Sequence, residues 1–287
     1  MRFHRRFAFM MIFAALAATS ASAQKKTASG QNAALRYWAA FAQMQDSAIT
    51  DEGTKQLNGI LDGPVPYDDS KYKELVGKNR PALEMMARGT LLPNCDWGTD
   101  YKLGADAPVD YAREALALGR LNVLYAFHLA VAGNKDNAAR TIAAGLHFSR
   151  DVGADGTLFA TLAAKSLIVT HLRAVEFLLH TGELSGSQRS LLAQSIESLG
   201  PGALYWQSAM RRELGLLRKS DGNAGSLAQI TAAYDAALAD PSKLTSLQQK
   251  IAAAPPSLRD LVPNPKRVLE EKRDLTDKLS QTRALLR

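Results

Sequence analysis

The 287-residue chain carries 35 Lys/Arg against 28 Asp/Glu, a formal charge of +7, and 46% of its residues are hydrophobic. That apolar share excludes an intrinsically disordered chain, and a single cysteine excludes a fold stapled by internal disulfides. Three of the arginines fall within the first 23 residues, so the remainder holds 32 basic and 28 acidic side chains, too mild an excess for a nucleic-acid-binding body.

The opening stretch MRFHRRFAFMMIFAALAATSASAQ has the pattern of an export signal. Arg2, Arg5 and Arg6 precede an apolar run from Phe7 to Ala18, and Ala21-Ser22-Ala23 supplies a small-x-small cleavage site. Residues 1–23 are therefore expected to be a cleaved, Sec-type leader, with the mature protein periplasmic or secreted. The apolar run is shorter than the roughly 20 residues that a bilayer span requires.

From there on the dominant period is helical, with no run of alternating β-branched residues, so the expected class is all-α. A first helix is expected over Gln31–Ser47, with Leu35, Trp38, Phe41 and Met44 on one face. A turn-rich stretch ending in DGPVPYDD follows, and Asp68 or Asp69 caps a helix kinked or split at Pro81. Gly89–Pro108 reads as a long connection, of the kind that is often functional between packed helices. A helix then runs from the Asp106-Ala107-Pro108 start to Ala132, apolar nearly all round after Ala115 and so central to its domain. Further helices are expected at 138–150, 157–181, 187–199, 202–219, 224–239 and 242–253. Pro255-Pro256 and Pro263 mark a linker before a last helix from Pro265 to Leu286. Residues 24–254 would form the α-helical domain, and 255–287 the linker and an amphipathic C-terminal helix.

The pair 115–132 and 134–150, with Gly133 at its turn, resembles one tetratricopeptide hairpin of about 34 residues. The architecture expected is antiparallel helical hairpins, either tetratricopeptide-like or an irregular bundle. The CDWG loop, the mid-helix Arg120, the helix ending in HFSRD and the following GTLFATLAAKSL helix resemble a set of uncharacterised exported bacterial α-helical proteins over about residues 90–200. That resemblance implies no activity.

No HExxH, GxSxG, CxxC or Gly-rich phosphate loop occurs, so no catalytic residue, metal site or cofactor is assigned. The candidate ligand pocket comprises Cys95, Asp96, Trp97, Arg120 and His128. Cys95 reads as a buried small hydrophobe, an intermolecular bridge or a reactive thiol, and Asp96 beside it would oppose thiolate formation. Trp97 would anchor the loop, with Gly98 allowing a tight turn. Arg120, on a mostly buried helix, needs a partner such as Asp96, Asp100 or Glu84. It would either pin the loop by a salt bridge or line, with His128, a pocket for an anionic ligand. His171 falls on the apolar face of its helix with Ala164, Leu167, Val175 and Leu178, as a core histidine or part of a buried site.

Residues 241–287 hold ten Lys/Arg against five Asp/Glu, without interleaved aromatics, so stacking on nucleic acid is not expected. The last helix, through Val268, Leu275, Leu279 and Leu286, would dock one edge on the body or contact a partner or a membrane surface. The function expected is an exported helical binding or scaffold protein of the cell envelope, whose partner is another protein or a small anionic ligand. The rival is an envelope hydrolase with its site between the 89–108 loop and the 107–132 helix.

Overall fold

The computed structural model describes residues 31–45, 51–63, 65–107, 109–154, 156–182, 184–200, 202–217 and 224–287. The expected leader lies outside these residues, as does Pro108. Among the described residues the chain is all-α, with twelve α-helices packed as adjacent antiparallel pairs and no strand. They are α1 (Ala33–Phe41), α2 (Asp51–Leu61), α3 (Asp69–Gly89), α4 (Tyr111–Val131), α5 (Lys135–Val152) and α6 (Leu158–Thr181). The others are α7 (Gly186–Ser198), α8 (Trp206–Leu216), α9 (Ala224–Ala239), α10 (Leu244–Ala252), α11 (Pro256–Arg259) and α12 (Pro265–Leu285).

The centre is α4, α5 and α6, each packed on the other two. α4 is apolar over most of its surface because four helices pack on it: α3 and α1 as well as α5 and α6. Gly133, at φ +78°, takes the left-handed turn that closes the α4–α5 hairpin. Gly145 lets α5 approach α6, since a Cβ there would lie 2.0 Å from His171 Nε2 and 2.4 Å from Asn122 Nδ2. By composition α6 could cross a membrane, but 61% of its most apolar window is buried within the bundle. Ala164, Leu167, His171, Val175 and Leu178 form its core face, as the sequence pattern requires.

Several boundaries differ from the sequence expectation. α2 occupies the stretch read as turn-rich. Its two glycines and polar surface hide a helix that buries only Leu57 and Ile60 and starts on Asp51 and Glu52, where the helix dipole favours acids. α3 runs unbroken through Pro81. α4 starts at Tyr111, because residues 101–106 form a separate 3₁₀ turn capped by Asp100, whose side chain accepts from Lys102 N. α1 turns a different face inward. Ala33, Ala34, Tyr37 and Ala40 are buried, whereas Leu35 is 52% and Trp38 41% exposed. The alanines permit close packing on α3, where Gly89 leaves room for the Tyr37 ring.

α12 docks on the body. Val268, Leu275, Leu279 and Leu286 are buried, and the polar face of α6 meets this helix through ion pairs. Lys165 pairs with Glu271, Lys278 Nζ lies 2.7 Å from Glu176, and Thr282 Oγ1 donates to the same carboxylate at 3.0 Å. The stripe of Lys165 and Glu176 on α6 is therefore an interface.

Candidate functional site

The CDWG segment is fastened to both α1 and α5. Ala33 N donates to Asn94 O at 2.7 Å. The Asn32 side chain donates to Asp96 O at 2.8 Å and accepts from Asp96 N at 2.9 Å. Asp96 Oδ1 accepts from Gly98 N at 2.9 Å, and Gly98 sits at φ +70°, which builds the tight turn expected there. Trp97 is 8% exposed and stacks on Tyr111 at 4.2 Å between ring centroids, while its indole N–H donates to Asp151 O at 2.9 Å. The ring fills the space between the loop and the first turn of α4, where the rival reading placed an enzyme site.

Beneath the loop lies a buried polar group that the sequence did not reveal. Tyr37 OH donates to Asp151 Oδ2 at 2.6 Å, and the Arg150 guanidinium donates to Oδ1 at 3.2 Å. Burial pushes the Asp151 carboxyl above its usual range, with the Tyr37 and Arg150 bonds acting in the opposite direction. One signal was present in the sequence: an aspartate in the last turn of a helix opposes the macrodipole and needs local donors. Burial raises the Cys95 thiol, and Asp151 and Asp96 raise it further. A thiol so disfavoured as thiolate is a poor nucleophile.

Arg120 has none of its expected partners. Asp96 is engaged with Asn32 and Gly98, Asp100 with Lys102 N, and Glu84 with Arg80 Nε at 2.9 Å. The salt bridge expected between Arg120 and the loop is thus replaced by Asn32 and Trp97 contacts. Arg120 is half-buried, and burial lowers its pKa against the nearest acidic influence, Asp51.

His128 belongs to the other end of the bundle. Tyr111 and His128 are separated by about 25 Å along α4, from its rise per residue. Trp97 and His128 therefore do not share a pocket. His128 Nδ1 pairs with Asp69 Oδ1 at 2.8 Å, and Tyr67 OH donates to the same oxygen at 3.0 Å. Beside this trio opens a cavity of about 360 Å³, lined mainly by apolar atoms of Tyr67, Ala130, Val131, Phe177, Leu178 and Leu184. Aromatic contacts shape its wall, with Tyr67 edge-on to Phe127 at 5.5 Å and Phe127 against Phe177 at 4.2 Å. Val131 remains 63% exposed at the rim. Lys135 also lines it, close over Gly182.

His171 is fully buried in the core, as one of the two sequence readings had it. Its Nδ1–H donates to Leu167 O at 2.8 Å, and Nε2 faces Asn122 Nδ2 at 3.2 Å. Burial pushes its pKa down to about 4, with the Leu167 bond acting in the opposite direction, so the ring is neutral at pH 7. Asn122 also donates to Thr141 O at 2.9 Å, which ties α4, α5 and α6 together through one polar link.

No known protein family, curated protein or solved structure matches the chain. Among the described residues no cluster of His, Cys, Asp or Glu is arranged to hold a metal ion.

Proposed function

We propose that the chain is an exported, non-enzymatic binding protein of the cell envelope that takes a small apolar molecule into the cleft between the ends of α4 and α6. The observation that carries this reading is the cavity of about 360 Å³, within the roughly 300–1,000 Å³ range of small-molecule sites and lined chiefly by apolar and aromatic groups. An apolar surface left open to water is a standing cost that a ligand removes, at about 25 cal/mol per Å² covered. Of Tyr67, Asp69 and His128, Tyr67 alone lines the cavity, and its hydroxyl, held by Asp69 Oδ1, is the group suited to orienting a single polar group of a largely apolar ligand. The export signal and the helical-hairpin frame support placement in the envelope, and the raised thiol of Cys95 weighs against a cysteine-based hydrolase.

The test is calorimetric titration with 1-octanol, an alkyl chain carrying one hydroxyl. Wild-type protein should bind it saturably at one site. Val131→Asp, at an exposed rim position, should weaken binding by at least about tenfold, because the alkyl chain would desolvate the introduced carboxylate. Non-saturable uptake by the wild type, or equal affinity in the variant, would overturn the proposal.

A further inference from the structure

A second pocket, on a different face of the same hairpin, mixes polar side chains with the apolar Leu83, Ala87, Leu129 and Ala144. It measures about 270 Å³ and lies between α3, α4 and α5, with Glu84, Asn122, Tyr125, Asn137, Arg140 and Thr141 among its lining residues. Asn137, Arg140 and Thr141 stand at i, i+3 and i+4 on α5, and Asn122 and Tyr125 at i and i+3 on α4, so both helices turn polar side chains into one groove. Glu84 is paired with Arg80 Nε at 2.9 Å. Arg140 has no hydrogen bond or ion pair among the described residues, which leaves one uncompensated guanidinium at the groove.

Asn122 is the less expected member. It is 1% exposed on an otherwise apolar stretch of α4, and both of its amide hydrogens are spent, on Thr141 O and on His171 Nε2. The His171 tautomer fixes that orientation: Nδ1–H is committed to Leu167 O, so Nε2 can only accept. The amide oxygen of Asn122 is then an acceptor with no partner among the described residues, held by a side chain more than nine-tenths buried. A leucine would be the ordinary occupant of such a helix position; the Asn122 oxygen is not among the buried polar atoms left without a partner, and the residue lines the pocket, so the acceptor is open to what enters it.

We propose that this pocket binds a small carboxylate that also carries a hydrogen-bond donor, the carboxylate on Arg140 and the donor on Asn122 Oδ1. A guanidinium matches a carboxylate in bidentate geometry, and a fixed amide oxygen selects a hydroxyl or amine. At about 270 Å³ the space falls just short of the range of drug-sized ligands and suits a smaller molecule. The site is separate from the apolar cleft and stands or falls independently of it.

The experiment is an NMR titration of the full chain with lactate, acetate and inorganic phosphate, read at the Asn122 side-chain amide and at the His171 ring nitrogens. Lactate should shift both saturably, because a bond to Asn122 Oδ1 polarises the amide that faces His171. Acetate, lacking the donor, should bind about fivefold more weakly, the worth of one neutral hydrogen bond. Arg140→Gln, at an exposed position that leaves the fold intact, should weaken lactate by at least about tenfold. Lactate shifts confined to the Arg140 guanidinium would reduce the effect to surface ion pairing and overturn the proposal. Equal affinity for acetate or phosphate, or unchanged binding by Arg140→Gln, would overturn it as well.

Discussion

Gly145→Ala tests the polar link between the three central helices. A methyl at that position would meet His171 Nε2 at 2.0 Å and Asn122 Nδ2 at 2.4 Å, where an ordinary contact is about 3.5 Å. Neither neighbour can swing aside freely, since His171 is bonded to Leu167 O and Asn122 to Thr141 O. Overpacking costs about 1–3 kcal/mol, and parting the buried Asn122–His171 contact costs about 1–3 more, against roughly 1 gained in helix propensity. The net loss should be about 3 kcal/mol, which in a chain of this size lowers Tm by about 6–12 °C. Gly77→Ala is the control. That glycine is exposed within α3 with nothing within 4 Å of an added Cβ, so the variant should gain up to about 1 kcal/mol. Thermal unfolding followed by circular dichroism reads both. A Gly145→Ala protein melting within about 2 °C of wild type would refute the close approach of α5 and α6 described above.

His171 should make stability fall in acid. Its folded pKa is pushed down to about 4 from 6.5, so its contribution is complete above pH 6.5 and is lost as pH falls toward 4. Between about pH 7.5 and pH 5 that amounts to about 2 kcal/mol, read as the difference between wild type and His171→Gln in urea unfolding at the two pH values. An identical pH dependence in the two proteins would contradict this. Tyr111→Phe should raise stability by about 1 kcal/mol, because the Tyr111 hydroxyl is buried without a partner among the described residues while its ring stacks on Trp97. A fall in Tm would show that the hydroxyl is satisfied. Arg120→Met should change Tm by no more than about 3 °C, since methionine keeps the packing of the stem and no ion pair is broken. A fall well beyond that would mean that Arg120 has an acidic partner.

The helices were legible where apolar periodicity was strong. α6 and α9 lie within a residue of their expected ranges, and Leu167, His171 and Val175 fall inward as their spacing requires. α2 was not legible, because two glycines and few apolar residues leave a pattern that only its neighbours stabilise. At Pro81 the splitting alternative does not hold: Ala82, Leu83 and Met86 are buried, and α3 stays one helix through a residue that would break an isolated one. The loop anchor at Trp97 was readable from composition, but its acceptor was not. Asp151 is 54 residues away, and nothing in sequence says that Tyr37 and Trp97 converge on it. The five residues grouped by sequence into one candidate pocket are spread along α4: Cys95, Asp96 and Trp97 lie by its first turn, Arg120 at its middle and His128 in its last turn. Sequence identifies side chains suited to binding, but a helix of 21 residues sets them too far apart to cooperate.

The apolar cleft is the centre of the functional account, and methyl NMR of Val131, Leu178 and Leu184 during titration with 1-octanol tests it most directly. The account predicts saturable shifts at these three residues, with Leu204, in a separate surface cavity, unmoved. Shifts that fail to saturate, or that appear equally at Leu204, would contradict it.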